Sequence, residues 1–186
     1  MNENEVFQKL IDLHSLYIQS RYAHWLQYEL YTWQWWLLII CPIAFWLLWI
    51  KVVDRKKIIE ILLYGLLIFI FTTAMDAIGI AYLLWDYQIK TLSKLPHIFS
   101  LDTAVFPVIY MLIYQYYPRW NTYLTSIVVM SAVFSFVGEP FLAWIGIYIM
   151  LKWKYVYSFP VFIAIGIICK VFVDWLVSIR QKNYLM

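Results

Sequence analysis

The feature of this chain that most constrains its fold is a series of long apolar stretches that recurs after residue 34. About 20 consecutive apolar residues are enough to cross a bilayer as a helix. Hydrophobic residues make up 65% of the 186 residues and charged residues only 13%, which is too little charge for the surface of a soluble domain of this length. The sequence therefore predicts an all-α, polytopic integral membrane protein.

The apolar stretches predict one helical bundle over residues 33–186, with five or six crossings. The region 121–151 is too long for a single ordinary crossing, and proline at position 140 lacks the backbone donor that a continuous helix needs. We therefore expect a break at residues 138–140 and a short returning helix over 141–151. The other predicted spans lie near residues 33–50, 58–81, 103–117 and 158–179.

The segment 1–32 predicts a separate amphipathic helix. Its apolar residues Val6, Leu10, Leu13 and Tyr17 recur at helical spacing among polar neighbours, which suits a helix that lies along the membrane surface or caps the bundle. The segment lacks the basic leader and cleavage site of a signal peptide, so we expect it in the mature protein.

Charge predicts the orientation and the partners of the bundle. Four basic residues crowd into the loop 51–57, which indicates a cytoplasmic loop and a multi-pass protein of the cell membrane. The net charge of +3 is modest, and the basic residues lie beside the spans. We therefore expect membrane lipids, and no nucleic acid, as partners.

Three carboxylates are predicted to converge at one membrane level. Asp76 follows Lys57 by 19 residues, and Glu139 follows Asn121 by 18. At the rise of an α-helix these separations correspond to about 28 Å and about 27 Å. Asp102 begins the next span from the same side. All three acids are therefore expected at the side opposite the 51–57 loop.

These acids have two interpretations. They could be interfacial carboxylates hydrated by lipid headgroups. They could also face a cavity, because acids at membrane depth are unfavourable without one, and dry surroundings favour the protonated form. We favour the second interpretation for the set and predict Asp76, Asp102 and Glu139 as catalytic residues.

Two segments resemble a known family. The residues 72–76, Thr-Thr-Ala-Met-Asp, followed by Trp85 and Tyr87, resemble the Thr-Thr-Pro-Trp-Asp segment with a trailing Trp-x-Tyr in the membrane-embedded lycopene cyclase domain of bacterial and fungal carotenoid enzymes. The residues 100–106 resemble that family's Pro-x-Glu-Glu segment. The match covers about residues 60–118. Ala and Met replace the Pro-Trp pair, and Asp102 is one acid where the family has two.

The resemblance implies a helical membrane fold and the acid-initiated cyclisation of a polyisoprenoid without redox change. It gives a role to Asp76, Trp85, Tyr87 and Asp102 alone. The residue types suit this chemistry, which needs a strong acid, a dry pocket and aromatic faces that stabilise a carbocation. Asp76 is the preferred acid, and Asp102 and Glu139 are expected to hold or relay its proton.

Aromatic residues beside the three acids are predicted to bind the substrate, an apolar isoprenoid lipid. The predicted substrate-binding residues are Trp85, Tyr87, Phe106, Phe136, Phe141 and Trp144. Aromatic residues at span ends are also typical of an interfacial belt. We assign to that belt Trp33, Trp35, Trp36, Trp49, Trp120 and Trp153.

We expect no cofactor and no metal. His14, His24 and His97 have no spacing typical of a metal site, and the chain contains neither an Asp-rich diphosphate motif nor a glycine-rich phosphate loop. The predicted function is therefore a cofactor-independent isoprenoid cyclase or isomerase that protonates an alkene or an epoxide.

Two alternatives stay open. The pair Lys170 and Asp174, spaced i, i+4 on the last span, is predicted to form a structural ion pair, but it could also relay protons or ions. The chain would then be a small-solute transporter or a substrate-binding membrane subunit. A structural membrane protein without chemistry is the third possibility.

Overall fold

The computed structural model describes residues 2–93 and 101–184, and the side chains of residues 2–93 and 103–180. The fold is an all-α helical membrane bundle, as the sequence predicts. Its helices are α1 (Glu3–His24), α2 (Trp33–Val52), α3 (Ile58–Ala81), α4 (Phe106–Tyr116), α5 (Trp120–Val133), α6 (Glu139–Trp144) and α7 (Tyr155–Tyr184).

Four described helices are long and apolar enough to cross a membrane, and a shorter apolar helix, Thr103–Tyr116, accompanies them. Apolar side chains cover most of the surface of each, which is stable only where lipid replaces water. The four long helices are Trp33–Val52, Ile58–Ala81, Trp120–Trp144 and Tyr155–Arg180.

The predicted helix break at residues 138–140 is wrong. Helix α5 continues through a π-helical turn, Phe134–Gly138, into α6, and the Glu139 N–H donates to the carbonyl of Phe134. Proline normally presses on the carbonyl four residues earlier, and the wider π turn gives the Pro140 ring room. The chain therefore remains helical past Pro140.

The predicted returning helix over 141–151 is also wrong, because the chain leaves α6 and forms a strand. Strand β1 (Trp85–Tyr87) pairs antiparallel with β2 (Tyr148–Met150), and Asp86 lies opposite Ile149. Beyond β2, the Leu84 carbonyl accepts three backbone N–H groups, from residues 151, 152 and 153, at 3.0, 2.9 and 3.1 Å. This two-stranded sheet ties the end of α3 to the start of α7. We call this end of the bundle the sheet end.

The buried core lies where α3, α4, α5 and α7 meet. Glycine lets these helices approach closely, since a side chain at Gly65 would overlap Met111 and one at Gly166 would crowd Tyr110. The hydroxyls of Tyr64 and Tyr123 are 2.6 Å apart, and the Tyr123 hydroxyl donates to the Gly166 carbonyl at 2.7 Å. Close backbone approach and buried hydrogen bonds are the usual means of holding helices together in lipid.

Helix α1 lies outside this core. Its residues are exposed, apart from the half-buried Arg21. Its C-terminal end is anchored by Glu29, whose carboxylate pairs with the Arg21 guanidinium and lies 2.8 Å from the His24 ring. The same carboxylate accepts the Lys90 N–H at 2.8 Å, which attaches α1 to the segment after β1.

Candidate functional site

A cavity of about 90 Å³ lies inside the bundle at the sheet end. Side chains from α3, α4, α6 and α7 form its walls, and the two strands and the segment after β2 complete its described lining. The described lining residues are Thr72, Met75, Asp76, Trp85, Tyr87, Phe106, Glu139, Leu142, Tyr148, Trp153, Ser158, Val161, Phe162 and Ile165.

Asp76 reaches this cavity from the last two turns of α3. Thr72, Met75 and Asp76 follow the i, i+3, i+4 spacing that places residues on one helix face. The Asp76 side chain is buried, with 5% of the residue exposed. Its Oδ1 accepts hydrogen bonds from Trp85 Nε1 and from the Tyr87 hydroxyl, both at 2.8 Å.

The short connection after α3 brings Trp85 back onto the helix that it follows. Leu83 adopts a left-handed conformation with φ of 52°, which reverses the chain. The Trp85 indole then packs against Gly79, where a Cβ atom would overlap the ring. Glycine at position 79 is therefore a condition for the hydrogen bond between Trp85 and Asp76.

Glu139 enters the cavity from the first turn of α6. Its Oε2 accepts a hydrogen bond from the Ser158 hydroxyl at 3.0 Å, and Ser158 in turn accepts one from Trp153 Nε1 at 2.9 Å. The Trp153 ring packs edge-on against Trp85, with ring centroids 5.3 Å apart. The indoles of Trp85 and Trp153 thus connect the surroundings of the two acids.

Apolar side chains of α7 and α4 form the deeper wall. Val161, Phe162 and Ile165 follow Ser158 at helical spacing, so one face of α7 supplies all four residues. The Phe106 ring packs against Phe162, with centroids 5.1 Å apart. The cavity is therefore mainly aromatic and aliphatic, with two carboxyl groups placed in it.

The structure brings together five of the nine predicted site residues. Asp76, Glu139, Trp85, Tyr87 and Phe106 all line the cavity. The sequence resemblance covers four of these, and Glu139 lies outside it. The Asp102 backbone belongs to a π-helical turn, Leu101–Val105, directly before α4, and its side chain lies outside the described residues.

The other three predicted residues lie away from the described cavity lining. Phe136 packs against Phe159, with ring centroids 5.7 Å apart, while Phe141 and Trp144 pack against each other at 6.0 Å. Trp144 is 82% exposed. Helix rotation explains the placement of Phe141 and Trp144, because residues two and five positions after Glu139 point away from the face that carries it.

Sequence reasoning missed several lining residues. Trp153, which the sequence places in the interfacial belt, also lines the cavity. The lining residues of α7 do show a periodic pattern in the sequence. The Ser158 hydroxyl is followed by apolar residues three, four and seven positions later. That pattern is equally typical of any buried helix face. The lining residues missed are Thr72, Met75, Leu142, Tyr148, Trp153, Ser158, Val161, Phe162 and Ile165.

The ion pair on α7 lies in another part of the bundle. Lys170 follows Ser158 by 12 residues, which is about 18 Å along a helix. Its Nζ is 3.1 Å from Asp174, which confirms the predicted ion pair. The same ammonium lies over the rings of Tyr114, Trp120 and Tyr123, at 4.7, 5.1 and 5.0 Å from their centroids.

The chemistry available at the cavity is proton transfer. Within the described part of the chain, no three His, Cys, Asp or Glu side chains are grouped as a metal site requires. The cavity offers two carboxyl groups, one serine and two tyrosines beside aromatic surface. No family model, curated protein or solved structure matches this chain.

Proposed function

We propose that this protein is a membrane-embedded, cofactor-independent isoprenoid cyclase or isomerase of the cell membrane. One observation carries the proposal. Two carboxyl groups from different helices, those of Asp76 and Glu139, line one apolar, aromatic cavity. An acid held in dry surroundings beside an alkene or an epoxide can protonate it, and a second carboxylate can remove a proton afterwards.

The ring surfaces of the cavity suit the intermediate of such a reaction. Trp85, Trp153, Phe106 and Phe162 present aromatic rings to the lining. An aromatic face attracts a cation by about 0.5 to 2 kcal/mol, depending on desolvation. It also lacks a lone pair that would capture a carbocation as readily as water does. These side chains therefore favour rearrangement of a carbocation over its hydration.

The size of the cavity limits the part of the substrate that enters it. A volume of about 90 Å³ is smaller than the roughly 150 Å³ of an engineered cavity that holds one benzene molecule. A long isoprenoid therefore places only an end group between the acids, with some side-chain movement. The rest of its chain lies among the helices and membrane lipids.

The resemblance of two segments to the lycopene cyclase domain supports the same reaction class. Asp76, Trp85 and Tyr87 correspond to the family's Asp and Trp-x-Tyr positions, and here they form one hydrogen-bonded group. A polyisoprenoid is accordingly the substrate class that we propose.

A turnover experiment tests this proposal. Vesicles that contain the full chain are supplied with geranylgeraniol, squalene and lycopene, and lipid extracts are analysed by mass spectrometry. We expect one of these substrates to give a ring product of equal mass, with one deuterium gained in D2O. Formation of that product should fall about 100-fold or more in Asp76→Asn and in Glu139→Gln.

A matched control lies on the same helix as Asp76. Glu60 lies in the first turn of α3, far from the cavity, and Glu60→Gln should retain the activity of the unaltered protein. If no acyclic isoprenoid is converted by the unaltered protein, the proposal is wrong.

A second candidate, transport of a small solute, is favoured by the Lys170–Asp174 pair. Lys170 is only 2% exposed, and paired ionisable groups at membrane depth often mark ion pathways. Solute uptake into sealed vesicles, abolished by Asp174→Asn and accompanied by no new lipid product, would favour transport over cyclisation.

A further inference from the structure

The two carboxyl groups of the cavity have different hydrogen-bond partners, and this difference assigns their roles. We propose that Glu139 is the proton donor of the reaction and Asp76 the proton acceptor. The assignment rests on the proposed function. It reverses the preference drawn from the sequence, in which Asp76 was the acid.

The partners of Asp76 suit a carboxylate. Trp85 Nε1 and the Tyr87 hydroxyl both donate to its Oδ1, each at 2.8 Å. An indole N–H is a donor only and cannot accept a proton from an acid. Two donors that point at one carboxyl oxygen stabilise the charged form. Of the two acids, Asp76 therefore has the stronger hydrogen-bond support for its ionised form.

The partner of Glu139 accommodates both protonation states. Among the described residues, its hydrogen bond comes from the Ser158 hydroxyl at 3.0 Å. A hydroxyl can either donate or accept, and serine has two acceptor positions. Trp153 Nε1 occupies one of these positions at 2.9 Å, which leaves the second for the O–H of a protonated Glu139. The Glu139 site thus keeps its hydrogen bond when the acid is neutral.

Fewer described hydrogen-bond donors support the ionised form of Glu139 than that of Asp76. Its neighbour in the lining on the same helix is the apolar Leu142, one turn ahead on the same face. A carboxylate with one neutral donor is less stabilised than one with two. Of the two acids, Glu139 is the one that holds its proton until the substrate binds.

The reaction balances with these two groups alone. The π electrons of a terminal alkene take the proton of Glu139, which forms a C–H bond, a tertiary carbocation and a Glu139 carboxylate. The π electrons of a neighbouring alkene attack the cation and close the ring. Asp76 then takes a proton from the carbon beside the new cation, and that C–H electron pair becomes the product double bond. Loss of one proton from Asp76 to water, and uptake of one by Glu139, restores the starting state.

Infrared spectroscopy tests the proton states independently of turnover. The full chain in vesicles at neutral pH should show a protonated carboxyl band that shifts in D2O. We expect Glu139→Gln to remove this band and Asp76→Asn to leave it. Ser158→Ala keeps both acids and should shift the frequency of the band, because it deletes the hydrogen bond to Glu139. Tyr87→Phe, the matched control on Asp76, should leave the frequency unchanged.

Turnover is the second measurement. It uses whichever substrate the unaltered protein converts among geranylgeraniol, squalene and lycopene. Glu139→Gln removes the proton donor, so substrate consumption should fall about 100-fold or more. Asp76→Asn should still consume substrate, but the cation should be captured by water, which gives an alcohol, or lose a different proton. Fluorescence titration with the saturated hydrocarbon squalane is the control for the cavity, and both variants should bind it as the unaltered protein does.

Distinct results would overturn the assignment and the proposed function. The assignment is wrong if Asp76→Asn removes the protonated carboxyl band, or if Asp76→Asn stops consumption while Glu139→Gln yields altered products. Assignment of the band to Glu139 in a protein that converts no isoprenoid would instead contradict the cyclase proposal alone.

Discussion

The indole of Trp85 donates a hydrogen bond to the carboxyl group of Asp76, from Nε1 to Oδ1 at 2.8 Å. The two residues lie on either side of the turn that joins α3 to β1. The turn brings the indole back against Gly79, one turn of helix beyond Asp76. This contact joins the cavity to the sheet, because β1 holds Trp85 and also pairs with β2.

Replacement of Gly79 by alanine should displace the Trp85 ring. An added Cβ would overlap the indole, and overpacking of this kind destabilises by about 1 to 3 kcal/mol. We expect a lower melting temperature in detergent and loss of the Trp85 hydrogen bond, seen as a changed tryptophan emission. Gly138→Ala is the control, since its Cβ would meet Phe134 at an ordinary 3.5 Å. Equal stability of both variants would contradict the packing described here.

Tyr87→Phe should weaken the bundle through Asp76. The change deletes one of the two described donors to a buried carboxyl group, and hydrogen bonds to charged groups contribute about 1.5 to 3 kcal/mol. A double-mutant cycle with Asp76→Asn, measured by thermal unfolding, should show coupling between the two residues. Additive effects would mean that the Tyr87 hydroxyl and Asp76 do not interact. Tyr82→Phe, an exposed tyrosine at the end of α3, should change little.

The two members of the Lys170–Asp174 pair should respond unequally to substitution. Asp174→Leu leaves the buried Lys170 ammonium without its carboxylate and should lower the free energy of unfolding by about 3 to 5 kcal/mol. Attraction between the ammonium and the three aromatic rings around it should reduce this loss. Lys170→Met leaves a carboxylate that is partly exposed, so its effect should be smaller. The double variant Lys170→Met/Asp174→Leu should recover much of the lost stability in unfolding experiments. A larger loss in the double variant than in Asp174→Leu would contradict this account.

Substitution of Glu29 should release α1 from the rest of the protein. Glu29 is 1% exposed and holds the Arg21 guanidinium, the His24 ring and the Lys90 N–H together. Glu29→Gln removes the charge that pairs with Arg21, and we expect faster proteolysis within residues 3–24. Glu5→Gln is the matched control, because Glu5 takes part in the exposed capping box at the start of α1. Identical proteolysis of the two variants would exclude Glu29 as the anchor.

Several features of this protein were predictable from local sequence. The span 58–81 matches α3 at both ends, since Lys57 and its basic neighbours precede a long, largely apolar run. The convergence of Asp76 and Glu139 also followed from helix rise alone. Two helices that begin at the same side of the membrane and have similar lengths end at the same level on the opposite side. A pair such as Lys170 and Asp174 depends only on spacing along one helix.

The sequence by itself determined that the chain is a helical membrane bundle, and it indicated the level at which two acids meet. The tertiary structure alone decided which side chains share their cavity. Lipid is as apolar as a protein interior, so the pattern around Glu139 cannot distinguish Leu142, which faces the cavity, from Trp144, which faces outward. The β1–β2 pair, and with it the place of Trp153, depends on hydrogen bonds between segments about 60 residues apart, and nothing local in either segment specifies that partner.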